Sequence, residues 1–226
     1  MTSESDAGML TLSQLPLFPL QTVLFPGGWM PLRIFEVRYL DMINRCYKAG
    51  APFGVVCLRE GSEVRRIDPN APPSGDAFAK EVFYPVGTLA HIERLERPQP
   101  GLLLIHCRGL QRFHVTSSQQ LPHGLWVGDV QLDEAEPVVP VPADLVSTRD
   151  ALQRLLNNLL EREPEAMNEL PLQPPYQWDD CGWVANRWAE LLPAPAELKH
   201  RLMTLDNPLV RLELISDLLD RMGVER

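Results

Sequence analysis

Lysine is nearly absent from this chain: only Lys48, Lys80 and Lys199 stand among 226 residues, against 18 arginines. A serine–lysine hydrolytic dyad needs a lysine beside its serine. Two of the three lie in or near helical stretches, and Lys80 borders a Gly- and Pro-rich segment. Phosphate-cradling motifs are missing too. There is no G-x-x-x-x-G-K-[ST] run and no G-x-G-x-x-G after a strand, which argues against a P-loop ATPase. Neither G-x-S-x-G nor H-E-x-x-H occurs. Cys46, Cys57, Cys107 and Cys181 form no C-x-x-C pair, so they read as small core hydrophobes of a reducing cytosol, although spacing alone leaves disulfide pairing open. The start, MTSESDAGML, has no cationic region and no apolar run, so no signal peptide is expected. No uninterrupted apolar stretch reaches the roughly 18 residues of a spanning helix. The most hydrophobic segment, LPLFPLQTVLFPGGWMPLRIFEVRY (Leu15 to Tyr39), is broken by Pro16, Pro19, Pro26 and Pro31.

What is present is an ordinary globular composition, 45% apolar, with a net charge of −9. A chain of this size buries roughly 70–75% of its unfolded surface and needs no staple. The negative charge disfavours phosphate backbones and anionic lipid, so neither nucleic acid nor membrane is an expected partner.

Periodicity divides the chain. Residues 1–10 read as disordered. LPLFPL and WMPLRI read as short strands around an FPGG turn, because proline fixes φ and glycine admits positive φ. Val37, Leu40, Ile43 and Tyr47 then recur at helical spacing, with Gly50 as a C-terminal cap, predicting a helix over 36–49. FGVVCLR, VFYPVGTLAHIERLE, GLLLIHCRGLQRFHVTSS and GLWVGDVQLDE read as further strands, and 61–81 as a mobile loop. Short strands joined in this way suggest an antiparallel barrel. The three prolines of EAEPVVPVPADL mark a stiff connector. Beyond it, Leu145 to Leu160 carries a leucine stripe, Asp179 or Asp180 caps a helix containing Trp183 and Trp188, Pro195 opens a short helix, and Asn207-Pro208 starts the last one. The fold class is α+β: a β pseudo-barrel over 11–137 with one inserted helix, then a helical bundle over 138–226.

Two catalytic readings fare poorly. A metal site could be drawn from Cys107, His114 and His123, and a hydrolase could be built on Cys107 with a histidine. Yet His106 and Cys107 are strand neighbours and face opposite sides, and the spacing fits no zinc module. Arg59, Arg65 and Arg66 suggest RNA, but Glu60, Glu63 and Asp68 interleave with them. Trp183 and Trp188 lie about 140° apart around a helix, so they cannot share the centre of one stripe.

Several segments together carry a resemblance. PLRIFEVRYLDMI resembles the signature of small stand-alone relatives of the Lon protease N-terminal, substrate-binding (LON) domain, with Val37 where those usually have proline. VGTLAHIERL, CRGLQRFHV and LPAPAELKHRLMTLDNPLVRLELISDLL resemble further family segments, and the likeness runs over about 12–222. It implies a PUA-like β pseudo-barrel followed by a helical bundle. The ATPase and protease domains of full-length Lon have no counterpart in the chain, so a non-catalytic module is expected, without cofactor or metal. Its expected partners are unfolded or partner polypeptides, with self-association as the rival and RNA as the alternative from the fold. The expected contact surface is a groove between barrel and bundle, with Trp29, Phe35, Tyr39 and Trp188 as candidates. Glu36 and Arg38 are expected to be structural.

Overall fold

The computed structural model describes residues 10–63, 80–162 and 172–224. The expected disorder of 1–9 and most of the expected mobile loop, with Arg65, Arg66 and Asp68, lie outside them. Six strands run as β1 (Thr11–Leu20), β2 (Trp29–Ile34), β3 (Phe53–Glu60), β4 (Val82–Gln99), β5 (Leu102–Gln120) and β6 (Trp126–Leu132). The sheet order is β2-β5-β4-β3-β1-β6, and β5 also pairs with β6. The five strands β5, β4, β3, β1 and β6 therefore close a ring, and β2 is an appendix on β5.

The expectation of a wholly antiparallel barrel needs one correction: β1 and β3 pair in parallel, Leu17 to Leu20 against Gly54 to Cys57. Parallel neighbours need a long crossover. Here the chain leaves β1, adds β2 to β5, and returns through helix α1 (Val37–Ala49).

β5 changes partner along one edge. Leu103 to Arg108 pair with β2, while Phe113 to Gln120 pair with β6. The switch occurs beside the FPGG turn. Gly27, at φ +72°, donates its N–H to the Gly109 carbonyl, and the Gly109 N–H donates to Gly28. A Cβ on Gly109 would run into the Phe25 carbonyl. The glycine of the CRGLQRF segment is thus required by the close approach of two backbones.

Helix α1 buries Arg38, Tyr39, Met42, Ile43 and Cys46. The sequence stripe of Val37, Leu40, Ile43 and Tyr47 is rotated from this: Val37 and Tyr47 are exposed. Both sets have helical spacing, and hydrophobicity alone does not separate them. The buried tether of Arg38, described below, selects the face. Gly50 caps the helix in the left-handed region, as its position predicts.

The helices of the second half are α2 (Val146–Arg162), α3 (Cys181–Leu191), α4 (Ala196–Met203) and α5 (Pro208–Arg221). Asp180 accepts from the N–H groups of Gly182 and Trp183, and Asn207 from those of Leu209 and Val210, with Pro208 in the first turn. These are N-cap bonds that the sequence pattern foretells. In α3, every residue from Cys181 to Ala189 is buried. The helix is buried on all sides, so both Trp183 and Trp188 are core residues although they lie on different faces. The helical core also takes in Val23, Phe25 and Cys57 from the barrel half.

Candidate functional site

The FEVRY segment links β2 to α1. Arg38 is its anchor. The guanidinium donates from Nε to Glu36 at 3.1 Å, from Nη2 to Glu81 Oε1 at 3.0 Å and from Nη1 to the Gly124 carbonyl at 2.8 Å. Trp126 Nε1 donates to Glu81 Oε2 at 2.6 Å. The side chains of Arg38 and Glu81 are each 4% exposed. Burial works to lower the Arg38 pKa, but the Glu81 bond and the charges of Tyr39, Glu81 and Glu36 outweigh it and hold the group above its ordinary value. Arg38 is therefore a permanent cation that ties α1 to the ends of β4 and the β5–β6 hairpin. Glu81 and Trp126 were missed by the sequence reasoning, since no spacing connects them to Arg38.

With α1 so fixed, a recess of about 290 Å³ opens between β2 and the end of β1. Phe18, Leu20, Leu32, Ile34, Phe35 and Tyr39 give it an apolar lining, and Arg33, Glu36 and Glu63 add charge. The Tyr39 ring is 2% exposed, lies 4.1 Å from that of Phe18, and has the Arg38 guanidinium 4.6 Å from its centroid. Tyr39 therefore forms the rigid floor. Phe35, 55% exposed, stands at the mouth.

The other two candidates lie elsewhere. Trp29 starts β2, half-buried, stacked on His106 at 5.4 Å with Arg108 at 5.5 Å. Trp188 is 4% exposed and donates Nε1–H to the Thr148 carbonyl at 3.0 Å within the helical core. Trp188 is thus a core residue with no surface to offer, and the four aromatics do not form one groove.

Beside the shared apolar core, the seam between barrel and bundle carries polar cross-links. Arg187 binds Glu190 through two bonds, at 2.6 and 2.9 Å, and the Pro26 carbonyl at 3.0 Å. Burial pushes the Glu190 carboxyl up to about 7, while Arg187 pulls the other way. His200 meets the Val86 carbonyl at 3.1 Å and stacks on Tyr84 at 4.2 Å. Farther along, Arg112 bonds the Met203 carbonyl and pairs with Asp133 and Asp206, and Arg211 holds Glu136 and Asn186 and the Leu205 carbonyl. A cavity of about 610 Å³ there is lined by Arg112, His114, Asp133, Glu134, Glu136 and Asp206. The groove expected between the halves is therefore a charged one, and it holds none of the four candidate aromatics.

No catalytic constellation emerges around Cys107. It is fully buried, its thiol pushed far up by desolvation and then by Glu93, so it is no nucleophile at neutral pH. His114 instead faces Asp133 at 2.7 Å. Among the described residues no group of three or more His, Cys, Asp or Glu side chains is placed to hold a metal ion. Arg59, one of the arginines that suggested RNA, contacts Glu60 at 3.4 Å.

A family model described as the ATP-dependent protease La (LON) substrate-binding domain matches residues 14–221. The chain belongs to this LON domain family. Lon protease 2 of Myxococcus xanthus is 26% identical over 219 residues, 92% of this chain. A Lon protease of Anaeromyxobacter dehalogenans is likewise 26% identical, over 211 residues. The chain spans 23% of the length of each. A solved Lon N-terminal domain protein from Xanthomonas campestris is 30% identical and superposes with a TM-score of 0.68, covering 91% of this chain and 98% of that one. The N-terminal domain of Mycobacterium avium complex Lon protease, at 17% identity, TM-score 0.51 and 90% and 96% coverage, supports the fold alone. In this LON domain the signature segments do structural work. PLRIFEVRY supplies Arg38, VGTLAHIERL supplies the Val86 carbonyl that meets His200, and CRGLQRF supplies Gly109, Arg112 and the buried Phe113.

Proposed function

We propose that this LON domain is a polypeptide-binding module that holds exposed apolar segments of unfolded chains and performs no chemistry on them. The observation that carries the reading is the recess at Phe35: a large exposed aromatic set over a rigid apolar floor, in a domain whose family is described as substrate-binding. An aromatic held at a pocket mouth yields much contact area at low entropy cost. Binding of this kind is governed by apolar burial against ordering costs, so it is weak and tolerant of sequence. Cys107 is buried, and His114 is engaged with Asp133, so neither provides a nucleophile for hydrolysis. The net charge of −9 opposes nucleic acid as a partner. We take the cytosol as the working compartment; no helix among the described residues is long and apolar enough to cross a membrane. We also take 11–137 and 138–226 as its two subdomains.

One experiment tests the reading. Fluorescein-labelled casein, an unfolded polypeptide, is titrated with the protein and followed by anisotropy, with ATP and magnesium present. Binding is expected, with casein uncut, and Phe35→Ala is expected to weaken it at least fivefold while leaving the unfolding midpoint unchanged. Absence of binding, equal binding by the variant, or cleavage that survives repurification overturns the proposal.

A further inference from the structure

Among the described residues, β2 has one partner strand. One edge pairs with β5 throughout, and the opposite edge pairs with no strand among the described residues. The register shows which backbone groups face that open edge. Gly28 accepts from the Gly109 N–H at 2.9 Å, which marks a hydrogen-bonded position of the β2–β5 ladder. Antiparallel ladders alternate bonded and non-bonded pairs. Stepping along the register from there, Met30, Leu32 and Ile34 bond across to Cys107, Ile105 and Leu103, and Pro31 and Arg33 turn their backbone away from β5. Pro31 agrees with this phase, since a residue without N–H belongs where the donor would point off the ladder. The burial alternates in step: Ile34 is buried and Leu32 half-buried, while Pro31 and Arg33 are exposed.

The open edge borders the Phe35 recess. Pro31, Arg33 and Ile34 line it on the β2 side, Phe18 and Leu20 on the β1 side. β6 stops pairing with β1 at Leu17, so among the described residues Phe18 to Leu20 pair with β3 and no other strand. The recess is thus a gap between two strands that each lack a neighbour. Arg33 makes no ion pair among the described residues, whereas Glu36 in the same recess is matched by Arg38.

We propose that the β2 edge accepts one extended polypeptide segment as an added strand. Its backbone bonds to Pro31 and Arg33, its apolar side chains enter the recess beside Phe35, and a carboxylate side chain lies opposite Arg33. This rests on the polypeptide-binding reading above and adds the form of the bound chain. Two features select that form. The outward Arg33 N–H and the Pro31 and Arg33 carbonyls complement an extended backbone and not a helix, whose groups are internally paired. Residues directly opposite on neighbouring strands share a face, so the residue opposite Arg33 faces an unmatched cation and favours a negative charge.

The probe is the peptide Val-Thr-Val-Asp-Val-Thr-Val, measured by anisotropy alongside labelled casein. Two isomers carry N-methyl groups on one or the other alternate set of amides. Strand addition uses the N–H groups of one set only, so one isomer is expected to lose binding at least tenfold and the other to keep it. Replacing the aspartate by lysine is expected to weaken binding at least threefold. Arg33→Pro removes the outward N–H without touching the bonds to β5, and is expected to weaken peptide and casein at least tenfold. The peptide isomers read out the same property should that variant fold poorly. If both isomers bind like the parent, or casein binds Arg33→Pro unchanged, edge addition is overturned while polypeptide binding stands. If neither peptide nor casein binds the unaltered protein, the underlying functional reading fails as well. A dimer that dissociates on dilution, and that Arg33→Pro abolishes, would mean a second copy occupies the edge, which also overturns the proposal.

Discussion

At the scale of single residues, the largest polar side chains in this LON domain are structural. Arg38 and Glu81 are buried together, and each satisfies the other along with Gly124 and Trp126. Removing one partner leaves a charge without compensation in a dry site, which costs about 3–5 kcal/mol. Arg38→Ala is expected to lower stability by about that amount in urea unfolding, and Arg38→Met combined with Glu81→Leu to recover most of it. Retention of full stability by the single variant would show the pair to be dispensable. Trp188 gives a second test. It fills the helical core and also satisfies the Thr148 carbonyl. Trp188→Ala is expected to cost about 3–5 kcal/mol, as truncation of a buried aromatic does, with casein affinity per folded molecule unchanged. A stable variant with impaired binding would return Trp188 to the contact surface.

Elements meet along a seam that is expected to respond to acid. His200, in α4, packs on β4 through the Val86 carbonyl and the Tyr84 ring. Burial lowers its pKa below the ordinary 6.5, and the Val86 bond only partly opposes this. An unfolded chain therefore takes up the proton before the folded one does. His200's contribution is complete above the ordinary value and is lost as the pH falls through it. The loss of stability between about pH 7.5 and about pH 5 is expected to shrink in His200→Gln, which keeps a donor for Val86 without a titrating ring. Comparing urea midpoints of the two proteins at both pH values checks this. Parallel losses would mean that other groups set the acid response; Glu190 is not one of them, since its raised carboxyl takes up a proton in the folded state first and opposes a loss in this range.

On the scale of the whole molecule, barrel and bundle share a core. Phe25 and Val23, flanking the FPGG turn, and Cys57 of β3 pack with Trp183, Trp188 and Leu212 in one cluster. Arg187 reaches from α3 to the Pro26 carbonyl, and Glu136 of the connector is locked by Arg211. Neither half can lose its fold without exposing apolar surface of the other. Unfolding is accordingly expected as a single cooperative transition, with tryptophan fluorescence and far-ultraviolet circular dichroism giving coincident curves. Two separated transitions would show the halves to be independent.

The sequence by itself determined the order of elements. Local signals sufficed: prolines and glycines for the turns, Asp180, Asn207-Pro208 and Gly50 for the helix ends, and alternating periods for strand against helix. These act within a few residues, so they survive without tertiary context. The recess was half legible, because Phe35 and Tyr39 both belong to the FEVRY segment, while their division into mouth and floor depends on the rotation of α1. That rotation was decided only by the tertiary structure, through Arg38 and Glu81, which lie 43 residues apart. The parallel β1–β3 pairing, the open edge of β2 and the burial of α3 on every side were likewise decided there. Each is a matter of which distant surface arrives beside which, and hydrophobic pattern fixes only that a face must be covered, not by what.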